Sequence, residues 1–196
     1  MQATALWHLS PTHSALKKEA LPTSSKHPIK IKSLYSLVST GTERLVATGK
    51  VPAEMYDPMK VPYMGGNFDF PIKYGYSLVG EILTEGELLG QLVHLLHPHQ
   101  DLLVADNQSI DLIPQGVPAK RAALASNVET ALNAIWDGGV TVGDKVLVSG
   151  FGMIGGLVAR LLSFMPAVEV VVLEKNEFRR QLARQMGFTI NPTTLN

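Results

Sequence analysis

Three glycines, Gly150, Gly152 and Gly155, form the pattern G-x-G-x-x-G, which is typical of loops that bind the pyrophosphate of a dinucleotide. Gly150 is predicted to make a tight turn, Gly152 to let the backbone approach the phosphates, and Gly155 to let a helix pack closely on a strand. The first N–H groups of that helix, those of Met153 and Ile154 included, would then face the phosphates. The spacing predicts a dinucleotide-binding site.

The elements around this loop come in the order that such a site requires. Residues 146–149 are short, apolar and β-branched, and they predict a buried strand before the loop. A second strand is predicted over 168–173, and it ends in Glu174, 19 positions after Gly155. That distance is close to the roughly 20 residues expected for the carboxylate that binds the adenosine ribose. The alternative is a glycine turn in an α/β protein that binds no nucleotide, and the order of the elements disfavours it.

The choice of dinucleotide rests on the residues at the end of this second strand. Glu174 favours NAD, because a carboxylate repels the 2′-phosphate of NADP. Lys175, Arg179 and Arg180 lie nearby and could accept a phosphate, so NADP stays open. Arg179 and Arg180 fall in a predicted helix over 176–186, where charges more often form a solvated face.

Composition limits the other classes of function. The 196 residues carry 17 basic and 17 acidic side chains, and this balance indicates neither a nucleic-acid nor a membrane-surface partner. The absence of cysteine excludes disulfides and any cysteine-ligated zinc or iron–sulfur centre. No apolar run approaches the roughly 18 residues of a membrane span, and no signal-peptide pattern is found, so the cytoplasm is the expected location.

The first half of the chain predicts a compact β domain. Its candidate strands are separated by proline and glycine turns and cover residues 3–9, 14–20, 30–37, 74–83, 91–96, 102–105 and 109–113. An apolar loop over 51–71 is predicted to pack down as a pocket wall, or else as a loop that only covers the core. A helix is predicted over 118–136, before the nucleotide-binding unit.

This order of elements resembles the medium-chain dehydrogenase/reductase superfamily. Four segments carry the family's motifs C-G-T-D, G-H-E-x-x-G-x-V, G-D-x-V and V-x-x-G-D-x-V-L-V-x-G-x-G-x-x-G, in altered form at residues 40–43, 75–82, 90–93 and 140–156. The likeness is nearest to a bacterial subgroup often named zinc-binding alcohol dehydrogenases, which also look like the hydroxyethyl dehydrogenase of the bacteriochlorophyll pathway. The resemblance implies a GroES-like β-barrel domain over 1–117, followed over 118–196 by the linking helix and a partial Rossmann domain.

The zinc ligands of that family are replaced in this sequence. The family holds its catalytic zinc with two cysteines and one histidine, and these positions carry Thr40, Tyr76 and, by approximate alignment, Ser126. Hydroxyl groups do not replace thiolates as soft ligands. The resemblance therefore implies an enzyme that works without zinc.

A cluster of histidines, His94, His97 and His99, offers two other kinds of chemistry. A zinc site there is the weaker reading, since His94 would point away from the other two on a strand. By the order of the family, His97 follows the strand that leads to the substrate pocket, and either His97 or His99 could take the proton of an alcohol. Alternatively, both rings make turn hydrogen bonds at Pro98.

The remaining candidates come from the same resemblance. Lys73 could hold a substrate carboxylate or polarise a carbonyl, although a solvated lysine is equally expected. Tyr76 could donate a hydrogen bond to the reacting oxygen, or pack in the core. With His97, His99 and Thr40, these two complete the catalytic candidates, and Thr130 is the candidate contact to the nicotinamide.

The sequence favours an NAD(P)-dependent oxidoreductase acting on a small alcohol or carbonyl compound, with an oligomer of identical chains left open. The family's Rossmann domain has two halves and only the first matches here, so a truncated and inactive chain is also expected. The alternative from another class is a non-catalytic module that binds a nucleotide or serves in assembly.

Overall fold

A computed structural model describes residues 2–22 and 28–191, and the chain divides into two compact units, 1–126 and 127–196. The sequence placed the boundary earlier, between residues 117 and 118. The short helix after that point packs on the first unit, where Ala122 and Ala123 form a buried cluster with Val79. No helix in the described residues is long and apolar enough to cross a membrane.

The first unit is built from two antiparallel sheets and short helices. Its strands are β1 (Gln2–Ser10), β2 (His13–Ala20), β3 (Pro28–Ser36), β4 (Gly65–Gly66), β5 (Ile72–Lys73), β6 (Leu78–Ile82), β7 (Leu92–Leu95), β8 (Leu102–Asp106) and β9 (Asp111–Leu112). One sheet has the order β2-β1-β5-β4 and the other the order β8-β3-β6-β7-β9. Helix α1 (Thr42–Ala47) follows β3. The predicted β domain is therefore present.

Apolar and charged side chains alternate along β3, and this pattern determines which face of the larger sheet is buried. On β3, Ile29 and Ile31 point into the core, whereas Lys30 and Lys32 are exposed. Gly80 on β6 lies directly against this strand: a Cβ at Gly80 would stand 2.3 Å from Cγ2 of Ile31 and 2.7 Å from the carbonyl oxygen of Lys32. Only glycine fits where the two strands approach so closely.

The apolar loop of residues 51–71 covers a core of its own. It contains a 3₁₀ turn, Ala53–Met55, and its Phe68 is buried with Val46 of α1 and Ile72 of β5. Tyr56 stacks on Phe68 with ring centroids 4.9 Å apart. These contacts agree with a loop that packs onto core residues.

The second unit contains the parallel sheet predicted for a nucleotide-binding domain. Strands β10 (Lys145–Ser149), β11 (Glu169–Leu173) and β12 (Thr189–Ile190) pair in that order, all parallel. Helix α4 (Met153–Leu162) connects the first two strands and α5 (Glu177–Gln185) the last two. The single helix predicted over 118–136 is wrong, because the chain forms α2 (Ala119–Ala122) and α3 (Ala125–Asp137) with a break between them.

Replacement of Gly80 by alanine is expected to lower the free energy of unfolding by about 1–3 kcal/mol, the usual cost of overpacking a core. Urea denaturation would measure it. Gly41→Ala is the control, because nothing lies within 4 Å of a Cβ there and its φ is −71°. Equal stability of the two variants would contradict the close approach of β3 and β6.

Candidate functional site

The glycine loop joins the end of β10 to the start of α4. Gly150 has φ of +92°, which L side chains rarely adopt, and its N–H donates to the carbonyl of Leu173 at 2.7 Å. A Cβ on Gly155 would stand 2.0 Å from the carbonyl oxygen of Gly150. Because that oxygen belongs to the backbone, it cannot move aside without moving the strand. Glycine at position 155 is therefore what allows α4 to start directly against β10.

The first turn of α4 offers backbone N–H groups with no acceptor inside the helix. Gly152 is the N-cap, and it has no side chain with which to cap the helix. The first helical bond runs from the N–H of Gly156 to the carbonyl of Gly152 at 2.8 Å. The N–H groups of Met153, Ile154 and Gly155 precede it, and together with the helix dipole they favour an anion at this end.

Glu174, at the end of β11, is buried and accepts two backbone hydrogen bonds. Its Oε2 accepts from the N–H of Phe151 at 2.7 Å and its Oε1 from the N–H of Asn176 at 2.8 Å. Burial alone would raise the pKa of this carboxyl, but the two N–H groups and the nearby guanidinium of Arg179 outweigh it and lower the pKa. The sequence predicted only a ribose contact here. The structure adds that Glu174 ties the glycine loop to the second strand.

Cationic side chains lie on the solvent side of this carboxylate. Nη1 of Arg179 is 3.9 Å from Oε2 of Glu174 and 3.8 Å from where a Cβ on Gly152 would stand. Lys175 is exposed beside them. Arg180 instead pairs with Glu177 one turn away on α5, and Thr130 is an exposed residue of α3. The structure thus brings together the glycine loop, Glu174 and Arg179.

In the first unit, His99 stands between two polar partners. Its Nδ1 contacts the hydroxyl of Ser36, and its Nε2 lies 2.5 Å from Oε2 of Glu43. The other oxygen of Glu43 accepts from the N–H of Ser39 at 2.7 Å. Sequence reasoning missed this group, since no local pattern links residues 36, 43 and 99.

His97 is buried against an aromatic ring. Its Nδ1 donates to the carbonyl of Pro98 at 2.8 Å, and its ring centroid lies 5.0 Å from that of Tyr63. Burial lowers the pKa of His97 to about 4. The ring is therefore neutral at pH 7, and only 3% of the residue is exposed.

Lys73 is engaged inside the protein. Its ammonium pairs with Glu19 of β2 and donates to Oε1 of Gln100 at 3.0 Å. The indole N–H of Trp7 donates to the other oxygen of Glu19 at 3.0 Å. Glu19 thus holds Lys73 in an internal pair, a partner that sequence reasoning did not identify.

One of the positions that hold zinc in the family, Ser126, belongs to a buried hydrogen-bonded cluster of two serine hydroxyls and one imidazole. Ser126 donates to the carbonyl of Tyr76 at 2.9 Å, and Ser77 donates to that of Ala123 at 2.7 Å. Nε2 of His94 lies 3.2 Å from the hydroxyl of Ser77 and 3.4 Å from that of Ser126. Within the described ranges, no three His, Cys, Asp or Glu side chains are grouped so that they could hold a metal ion.

Thr40 and Tyr76 remain accessible. Thr40 is exposed in the turn before α1, and Tyr76 is half-buried with its ring edge-on to Tyr74 at 6.1 Å. In the described part of the chain, the Tyr76 hydroxyl makes no hydrogen bond. A ligand could therefore use this phenol without breaking an existing bond.

Comparison with known proteins confirms the resemblance to the medium-chain dehydrogenases/reductases that the sequence predicted. L-threonine 3-dehydrogenase of Bacillus licheniformis is 36% identical over 76 residues, which cover 39% of this chain and 22% of that enzyme. The match therefore spans about a fifth of the length of this curated relative. No family model matches.

Solved structures establish the fold over nearly the whole chain. An alcohol dehydrogenase from E. coli CFT073, complexed with NADH, has a TM-score of 0.77 and 18% identity, and the match covers 98% of this chain and 64% of that one. Quinone oxidoreductase from Thermus thermophilus, also studied in complex with NADPH, has a TM-score of 0.73 and 16% identity over 95% of this chain and 58% of that one. The predicted fold class, a GroES-like domain with a partial Rossmann domain, is confirmed.

The buried imidazole of His97 should make stability depend on pH. The pKa is 6.5 in the unfolded chain and about 4 in the folded one, so the unfolded state binds the proton first as pH falls. The contribution of the neutral His97 ring to the free energy of unfolding is fully present above pH 6.5. It decreases as the pH falls to about 4, by about 3 kcal/mol in total.

Urea denaturation between pH 7.5 and 4 would measure this loss. His97→Gln should flatten the slope in that window, whereas His13→Gln, at an exposed position of β2, should not. An unchanged slope in His97→Gln would contradict the assignment.

Proposed function

We propose that this protein is an NAD(P)-dependent oxidoreductase that acts on an alcohol or carbonyl group without a catalytic zinc. The observation that carries the proposal is the approach of Gly155 to the carbonyl of Gly150, because it lets α4 start at the loop with three N–H groups that have no acceptor inside the helix. These N–H groups suit a phosphate, and the buried carboxylate of Glu174 beside them suits a ribose.

The residues fit a dinucleotide. The N–H groups of the glycine loop and of Met153 and Ile154 would hold the pyrophosphate, and Glu174 would face the adenosine ribose. Glu174 favours NAD, while Arg179 and Lys175 leave room for the phosphate of NADP. By the family resemblance, Thr130 lies on the nicotinamide side. When bound, the nicotinamide supplies or accepts the hydride, and the protein supplies position and a proton.

The proton donor that we propose is the hydroxyl of Tyr76. In carbonyl reduction the Tyr76 O–H would donate a hydrogen bond to the substrate oxygen and transfer its proton there as the alcohol forms. Thr40 would position the substrate from its exposed turn. The internal bonds of Lys73 and His97 disfavour them for this role, since each would have to break a buried contact to reach a substrate.

Zinc does not fit the residues that replace its ligands. Thr40, Tyr76 and Ser126 present hydroxyl oxygens, which bind zinc far more weakly than thiolate and imidazole do. Ser126 also already donates its hydroxyl proton to the carbonyl of Tyr76. No step of the proposed reaction uses a metal.

A second candidate is a non-catalytic module that binds a nucleotide, favoured by the loss of all three zinc ligands. Two measurements distinguish the oxidoreductase from the module. Nicotinamide fluorescence measures binding of NADH and NADPH, and an assay with a panel of carbonyl substrates then measures turnover. Binding with turnover supports the oxidoreductase, binding without turnover supports the module, and no binding to either dinucleotide rejects both.

Gly155→Ala should abolish NADH binding or weaken it at least roughly tenfold, because the new methyl group forces α4 away from β10 and misdirects its N–H groups. Fluorescence titration would measure the dissociation constant. Gly156→Ala is the matched control one residue on, since a Cβ there meets only Phe151 at an ordinary 3.8 Å. Equal loss in both variants would point to general disruption of α4 and refute the specific role.

Arg179→Ala should weaken NADPH binding by roughly 10-fold or more, the value of a charge-assisted hydrogen bond, and change NADH binding little. Arg184→Ala is the control, because it removes an arginine of the same helix, one that pairs with Glu177. Parallel titrations with the two reduced dinucleotides would decide it. An equal loss for both would assign Arg179 to the shared pyrophosphate.

A further inference from the structure

The first unit contains a second arrangement with its own chemistry, the hydrogen-bonded chain from Ser36 through His99 to Glu43. We call it the Ser36 triad. The serine hydroxyl contacts Nδ1 of the imidazole, and Nε2 on the opposite side of the ring is 2.5 Å from the carboxylate. A nucleophile, a base and an acid that orients the base are the three parts of acyl-transfer triads.

Each member of the Ser36 triad comes from a different element of the fold. Ser36 is the last residue of β3, Glu43 lies in the first turn of α1, and His99 follows β7. His99 is fixed through its backbone, since its carbonyl accepts from the N–H of Leu6 at 3.0 Å. A Cβ on Gly75 would stand 3.0 Å from Nε2, so the ring also packs against bare backbone. The imidazole is therefore held on several sides.

The tautomer of a neutral His99 follows from its partners. An ionised carboxylate only accepts hydrogen bonds, so the proton of the neutral imidazole lies on Nε2, towards Glu43. Nδ1 then presents its lone pair to the hydroxyl of Ser36. In this tautomer His99 acts as a base towards Ser36, and Glu43 stabilises the imidazolium that forms.

The base and the acid of the Ser36 triad are buried and its nucleophile is exposed, as acyl transfer requires. Glu43 is 4% exposed and His99 is 9% exposed, whereas Ser36 is an exposed residue. Ser36 opens into a groove of about 580 Å³ that also presents apolar side chains, those of Leu6, Leu16 and Val38. An apolar lining of this kind suits the chain of a short acyl group.

We propose that Ser36 is a nucleophile that accepts short acyl groups from activated esters. Oγ of Ser36 forms a bond to the carbonyl carbon while Nδ1 of His99 takes the hydroxyl proton. The ester C–O bond then breaks, and the proton passes to the departing alcohol or phenol. Water later attacks the acyl carbon while Nδ1 of His99 takes its proton. The bond from that carbon to Oγ then breaks, the proton passes to Oγ of Ser36, and a carboxylic acid leaves. No oxidant, reductant or nicotinamide takes part, so this activity is independent of the function proposed above.

The test uses the full chain without cofactor and with p-nitrophenyl acetate. The expected result is release of nitrophenolate together with an acetyl group on the protein, which intact mass shows and peptide mapping assigns to Ser36. Ser36→Ala should lose the adduct. Ser109→Ala is the control, because Ser109 is an exposed serine outside this groove, and this variant should be acetylated at Ser36 at the normal rate.

Glu43→Gln and His99→Gln should slow acetylation of Ser36 by about 100-fold or more, the value of a positioned base. Circular dichroism and urea denaturation of Ser36→Ala establish that its fold is intact. An unlabelled wild-type protein, or labelling that persists in Ser36→Ala, overturns the proposal. Labelling of Ser36 at the same rate in His99→Gln overturns it too, because the serine would then react without its base.

Discussion

The contact between Gly155 and the carbonyl of Gly150 is the constraint on which the second unit depends. Because a helix can start there only if no Cβ intervenes, α4 begins within a few residues of the end of β10. The carboxylate of Glu174 then fixes the same loop from the second strand through the N–H of Phe151. A short turn held from both strands has little freedom, and the direction of its free N–H groups follows from that.

The second unit could be predicted closely because its signals are local. Strand β11 begins one residue after the predicted bound, and helix α5 lies one residue inside its predicted ends. Its N-cap is Asn176, which accepts from the N–H of Arg179 at 3.1 Å. Apolar strands, a glycine turn and a capping residue each depend on neighbours within a few positions. Each can therefore be recognised from the sequence without knowledge of the fold.

The polar clusters of the first unit could not be predicted in the same way. Lys73 pairs with Glu19 and His99 with Glu43, across 54 and 56 residues respectively. Nothing in the sequence around either carboxylate identifies its distant partner. The sequence therefore predicted Lys73 as a substrate-binding group and His99 as one of three similar histidines. Only the strand pairing that brings β1, β5 and the chain after β7 together separates these roles. The predicted roles of the catalytic candidates remain predictions.

The buried group of His94, Ser77 and Ser126 limits the substitutions that its serine positions can accept. Each hydroxyl there is committed to a backbone carbonyl, and the imidazole lies between them. Exchange of one serine for cysteine would leave a buried carbonyl without its donor before any metal could bind. Substitution of either serine would therefore lower the stability of the fold, so these hydrogen bonds restrict which side chains the two positions can accept.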